Sequence, residues 1–151
     1  MMLKETLEKI ASEQRTYLES RDPGIKREAF DRIDLGTSHI VILSGVRRCG
    51  KSTLIKQLTK KAKSFLYMNF EDERFLNFDI TDFQKLNDIF QGSGKDSLLF
   101  FDEIQNVAGW ERYARKLHDN GKRLVITGSN ASLLSKEFGT SDPAYELSRY
   151  G

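Results

Sequence analysis

Four short apolar runs constrain this chain more than any other feature: HIVIL (39–43), SFLYMNF (64–70), SLLFF (97–101) and RLVIT (123–127). Each is largely continuous, rich in β-branched or aromatic residues and followed by turn or polar residues. A run without polar alternation suits a strand covered on both faces, as in a parallel sheet. Helical patterns fall between the runs. Lys51–Lys63 follows the first. A segment opened by Thr81-Asp82 runs to about Phe90 and turns Phe83, Leu86, Ile89 and Phe90 inward. Trp110–Asp119 stops at Asn120-Gly121. A last short helix is expected over Ala131–Phe138, capped by Ser129 or Asn130. Strand and helix alternate four times, which predicts an α/β fold with a parallel sheet between two layers of helices.

Ahead of the first strand, Leu3, Leu7, Ile10 and Tyr17 or Leu18 form one stripe of a helix over residues 3–20. Asp22-Pro23-Gly24 breaks it, and a shorter helical piece over Ile25–Ile33 follows. The stretch EDERFLNFD (71–79) reads as an acidic, aromatic loop. The expected organisation is an N-terminal helical segment, 1–38, and a sheet domain, 39–151. At 151 residues the chain is long enough for one core. The net charge of 24 − 22 = +2 indicates neither a nucleic-acid nor a membrane partner. A single cysteine excludes an intrachain disulfide and suits a reducing compartment. No apolar run approaches the ~20 residues that span a bilayer, and MMLKETLEK has no apolar signal region. A cytoplasmic protein is expected.

The first strand runs into GVRRCGKSTL, Gly45–Leu54, which fits G-x-x-x-x-G-K-[ST], the phosphate-binding P-loop. The spacing has a chemical reason. Phosphate oxygens can sit against main-chain N–H groups only where no Cβ intrudes, a need that Gly45 and Gly50 meet. The start of the following helix adds partial positive charge. Val46, Arg47, Arg48 and Cys49 complete the cup, Lys51 reaches the β- and γ-phosphates, the Ser52 hydroxyl binds Mg²⁺, and Thr53 follows within the helix. The two arginines either neutralise phosphate charge or face solvent or a partner. Cys49 reads as a small loop residue rather than a nucleophile.

Two further strands end in polar residues. SLLFFDEIQ delivers Asp102 and Glu103 to a strand's C-terminal end, where open parallel sheets bind their ligands. Asp102 is the expected Mg²⁺ holder, directly or through water, and Glu103 the expected base for an attacking water. LVITGSN offers Asn130 as a contact for that water or for the γ-phosphate, with Thr127 or Ser129 as alternatives. Glu71, Asp72 and Glu73 fit a solvated loop better than the site, and Trp110 and Tyr113 fit the core.

Together, GVRRCGKSTL, LLFFDEIQNVAGW and LVITGSNASLLS resemble a group of prokaryotic AAA+ ATPases, from about Ile25 to Ser135. The resemblance implies a three-layer P-loop NTPase with strand order 5-1-4-3-2. Gly45–Thr53 is then Walker A, Asp102 and Glu103 are Walker B, and Asn130 is the sensor. It also implies adenine as the base and a further C-terminal domain. The chain stops at SRYG, where the family often shows a GRY segment before its fifth strand. The fifth strand is therefore expected to be missing, with the P-loop strand left at the sheet edge and the chain an N-terminal fragment.

The resulting expectation is an ATPase that uses ATP and Mg²⁺, slow by itself because an arginine from a neighbouring copy is lacking; Arg149 is a candidate for that arginine. A homo-oligomer or a protein partner is expected to act through the missing C-terminal part. The alternatives are a nucleotide-dependent switch with negligible turnover and a small-molecule kinase. The Asp-Glu pair and the TGSN strand argue against the kinase.

Overall fold

All four apolar runs form strands in the computed structural model, which describes residues 1–20, 40–44, 51–91, 97–128 and 144–146. They are β1 (Val41–Ser44), β2 (Phe65–Asn69), β3 (Leu98–Asp102) and β4 (Arg123–Gly128). A fifth strand, β5 (Ala144–Glu146), completes a sheet of order β2-β3-β4-β1-β5 in which every neighbouring pair is parallel. Read from the other edge, this is the order 5-1-4-3-2.

The expected loss of the fifth strand is thus corrected. Ala144, Tyr145 and Glu146 pair with Ile42, Leu43 and Ser44, so β1 is an interior strand. A three-residue strand is held by its neighbour and has no room for a pattern of its own, and SDPAYELS contains a proline and no apolar run.

Successive residues of a strand face opposite ways, and each face of the sheet carries its own cluster. On one side Ile42, Met68, Leu99, Phe101 and Ile126 pack against α3 (Phe83–Gln91) and α4 (Trp110–Asp119), with Trp110 and Tyr113 inside the core. Burial pushes the Tyr113 hydroxyl well above its ordinary pKa. On the other side Val41, Leu43, Phe100 and Val125 meet Leu54, Ile55 and Leu58 of α2 (Lys51–Thr59). Every residue of β3 is buried, which is why its sequence is continuously apolar up to Asp102. The helix expected over Lys51–Lys63 ends sooner, at Thr59, and a turn with Lys61 N–H on the Leu58 carbonyl closes it. The pieces expected over 25–33 and 131–138 lie outside the described residues.

The N-terminal helix α1 (Lys4–Ser20) wraps around the β2 edge. Its Leu7 and Ile10 join one core cluster and its Leu18 the other. Between them Gln14 behaves like a piece of strand. Its Oε1 accepts from the Asn69 N–H at 2.8 Å and its Nε2 donates to the Asn69 carbonyl at 3.0 Å. Arg15 donates to the Phe65 carbonyl at 2.8 Å, with its guanidinium 4.2 Å from the centre of the Phe65 ring. An open strand edge invites pairing with other chains, and a covering helix removes that hazard.

The stretch 71–79, expected as a loop, contains a 3₁₀ turn, Glu73–Asn77, that buries Phe75. Phe70, Phe75, Phe78 and Phe83 then pack in series in tilted and edge-to-face contacts, with ring centres 4.9, 5.7 and 4.9 Å apart. Asp72 caps the turn at the Arg74 N–H and pairs with the Arg74 guanidinium at 2.8 Å. That hydrogen-bonded guanidinium holds the Asp72 carboxyl at about 2, below its usual 3.8. Farther along, Asp79 opens a second 3₁₀ turn, Ile80–Asp82, ahead of α3. The fully buried Asp82 carboxylate accepts from the main-chain N–H groups of Asp79 and Met2 and from Lys85.

Two outcomes follow from these contacts. Gln14→Leu removes both bonds to Asn69 at ~1 kcal/mol each, so native-state hydrogen exchange at the Asn69 amide should rise roughly tenfold or more; unchanged exchange contradicts α1 as an edge cover. The lowered carboxyl of Asp72 contributes stability that is present above its unfolded value near 3.8 and is lost as pH falls toward 2. Asp72→Asn should therefore flatten the fall in denaturant midpoint between about pH 4 and pH 2.

Candidate functional site at the strand ends

In a parallel sheet all strand ends of one kind lie along one edge. Here Ser44 of β1, Asp102 of β3 and Gly128 of β4 share the C-terminal edge, with β4 between the other two. Strands are spaced ~4.8 Å apart, so the end of β3 lies about 10 Å from the end of β1, where the chain leaves toward α2.

Asp102 is 5% exposed, and its carboxylate is gripped from both sides. The Tyr67 hydroxyl donates to Oδ2 at 2.8 Å and the Thr127 hydroxyl donates to Oδ1. Register explains both contacts. Phe101 is level with Ile126, so Thr127 stands beside Asp102 on β4. Tyr67 is level with Phe100 and therefore lies on the same face as Asp102, two residues back. The length of its ring carries the hydroxyl up to the carboxylate.

Glu103 follows in an unusual backbone state, φ 53° and ψ 48°, alone among the described non-glycine residues in having positive φ. The left-handed region costs a residue with a Cβ roughly 1–2 kcal/mol. Such strain persists only where surroundings enforce it, and it concentrates at functional sites. The surroundings here are specific. The Glu103 N–H donates to the Thr127 hydroxyl at 2.9 Å, so that one side chain joins both acidic residues. The Glu103 carbonyl accepts from the Asn106 side chain at 3.0 Å, within the 3₁₀ turn Ile104–Asn106. Glu103 is 3% exposed and its Oε2 accepts from the Gln105 amide at 2.6 Å.

Of the residues singled out in the sequence, Asp102, Glu103 and Thr127 are thus brought together. Lys51 and Ser52 open α2, and only their main chain is described; Thr53 is half-buried in the same turn. Gly45, Val46, Arg47, Arg48, Cys49, Gly50, Ser129, Asn130 and Arg149 lie outside the described residues. Asp72, bound to Arg74 and Gln14, belongs to the α1 edge. Sequence reasoning missed Tyr67 and Gln105. A tyrosine inside an apolar strand was a signal, because a buried hydroxyl needs a partner.

A strained, buried acidic pair offers carboxylate oxygens, the ligands that hard cations prefer. The comparisons with known proteins agree with that architecture. The AAA domain family matches residues 37–146. An uncharacterized protein of Methanocaldococcus jannaschii is 41% identical over 111 residues, 72% of this chain and 25% of its own length. An uncharacterized protein of Haemophilus influenzae is 39% identical over 114 residues, 69% of this chain and 28% of its own length. The chain therefore spans about a quarter of the length of these curated relatives. Among solved structures, AMPPCP-bound DnaA from Aquifex aeolicus superposes with TM-score 0.52 at 16% identity, over 80% of this chain and 43% of its own. A RuvB mutant from Thermotoga maritima gives 0.54 at 16% identity, over 93% and 44%. The chain belongs to the AAA domain family, and its fold is that of a three-layer P-loop NTPase.

Proposed function

We propose that this chain binds ATP with Mg²⁺ and hydrolyses it to ADP and phosphate. The observation that carries the reading is the buried pair at the end of β3: a doubly hydrogen-bonded Asp102 and a strained Glu103, one strand removed from β1. Membership of the AAA domain family and the AMPPCP held by the DnaA neighbour support it. The donor set suits the cation. Carboxylate and hydroxyl oxygens are the hard ligands Mg²⁺ prefers, and each oxygen of Asp102 keeps lone-pair capacity beyond the one hydrogen bond recorded for it.

On this reading Gly45–Gly50 offer main-chain N–H groups to the phosphates, and the Lys51 ammonium meets the β- and γ-oxygens. Ser52 and Asp102 would hold Mg²⁺, which would supply charge neutralisation. Glu103 orients a water and takes its proton as the water oxygen bonds to the γ-phosphorus and the bond to the ADP oxygen breaks. Asn130 assists by a hydrogen bond to that water or to the γ-phosphate. Turnover of the isolated chain is slow, because an arginine supplied by a second copy or a partner can be worth 10³–10⁵-fold.

A second reading, a nucleotide-dependent switch, is favoured by one contact. The Glu103 carboxylate accepts from Gln105 at 2.6 Å, which holds its Oε2 against the 3₁₀ turn and leaves a water only the remaining lone pairs. Glu103→Gln separates the two. For an ATPase, ATP affinity holds while phosphate release falls by roughly 10²–10⁴-fold. Release that survives the substitution overturns the assignment of Glu103 as base.

A further inference from the structure

The reading above makes no use of Tyr67. Its ring packs with Phe100, Leu98 and Val125 in the cluster beneath α2, a task that phenylalanine performs equally well. The hydroxyl is therefore an added polar group in an apolar layer, at 7% exposure of the residue. Burying a hydroxyl is unfavourable unless it is hydrogen-bonded. Its partner here is Oδ2 of Asp102, at 2.8 Å.

We propose that Tyr67 is a positioning residue for the divalent cation: it fixes the plane of the Asp102 carboxylate so that the unused lone pairs face one direction. The inference rests on the proposed role of Asp102 as Mg²⁺ holder. A carboxylate held by one hydroxyl can still swing about its Cβ–Cγ bond. Held on Oδ1 from β4 and on Oδ2 from β2, it cannot turn without breaking a hydrogen bond. Both grips are donors, so they suit an ionised carboxylate and leave it acceptor capacity for a cation or its water.

Thr127 and Tyr67 divide this task unequally. The Thr127 hydroxyl also accepts from the Glu103 N–H, so its removal disturbs both acidic residues. The Tyr67 hydroxyl donates to Asp102 and comes from β2, away from the Glu103 backbone, so Tyr67→Phe tests the hold on the carboxylate without removing the Thr127 link to Glu103. Partners of metal ligands typically contribute 10–100-fold to metal affinity.

The test is a titration of the whole chain with ATP by calorimetry, first in EDTA and then at increasing Mg²⁺, for wild type, Tyr67→Phe and Asp102→Ala. Tyr67→Phe keeps the ring, and its melting temperature reports whether the fold is kept. The expected result is unchanged ATP affinity in EDTA and a 10- to 100-fold higher Mg²⁺ requirement for Tyr67→Phe. A Tyr67→Phe curve that coincides with wild type, while Asp102→Ala shifts, overturns the role of Tyr67 and leaves that of Asp102 standing. An equal loss with and without Mg²⁺ also overturns it, because only a structural role predicts that. A wild type indifferent to Mg²⁺, or an Asp102→Ala that matches it, removes the reading of Asp102 and the inference with it.

Discussion

A buried carboxylate is the constraint on which this site depends. Removing Asp102 from water costs several kcal/mol unless its oxygens are hydrogen-bonded, and the two recorded donors come from different strands. Tyr67 reaches it from β2 and Thr127 from β4. The end of β3 is thereby tied to both neighbours by side chains as well as by the ladder. The same Thr127 hydroxyl takes the Glu103 N–H, which fixes the residue that follows in its left-handed turn. One short polar chain thus sets the carboxylate of Asp102, the backbone of Glu103 and, through the 3₁₀ turn at Ile104–Asn106, the exit of the strand.

The fold protects this arrangement by keeping the sheet's middle dry and its β2 edge closed. β3 is buried on both faces, so no water competes along its length, and the low-dielectric surroundings strengthen the hydrogen bonds at its end. β2, which carries Tyr67, would be an open edge without α1. Gln14 and Arg15 take main-chain groups of Asn69 and Phe65, and the leucines and isoleucine of α1 anchor on both faces. The N-terminal helix therefore supports the site at one remove: it holds the strand that holds Asp102.

Much of this was legible in the sequence, for identifiable reasons. Continuous apolar runs announced covered parallel strands, and Trp110–Asp119 was read to the residue because its stripe is strong and its stop is Asn-Gly. The acidic pair was legible because DE follows directly on an apolar strand. What stayed hidden depends on contacts between distant parts of the chain. β5 is three residues long and is defined by β1. The 3₁₀ turn at Glu73–Asn77 looked like a charged loop because its charges, Asp72 and Arg74, satisfy each other and its aromatic residues are spent on the core. Tyr67 looked like one more apolar residue of a strand, since its partner lies 35 positions away. Gln105 stood in plain view within DEIQ, yet its bond to Glu103 arises from the left-handed turn, which periodicity does not report.

The proposed chemistry joins two halves: an acidic pair whose geometry is set by β2, β3 and β4, and the phosphate-binding role proposed for Gly45–Ser52. The Lys51 ammonium belongs to the second half and is asked to meet the charge that the first half helps to neutralise. The most direct measurement is the equilibrium affinity of this chain for Mg-ATP before and after Lys51→Ala. The account predicts that wild type binds and that the variant loses most of that affinity while melting at the same temperature. A folded Lys51→Ala that binds Mg-ATP as tightly as wild type would contradict it.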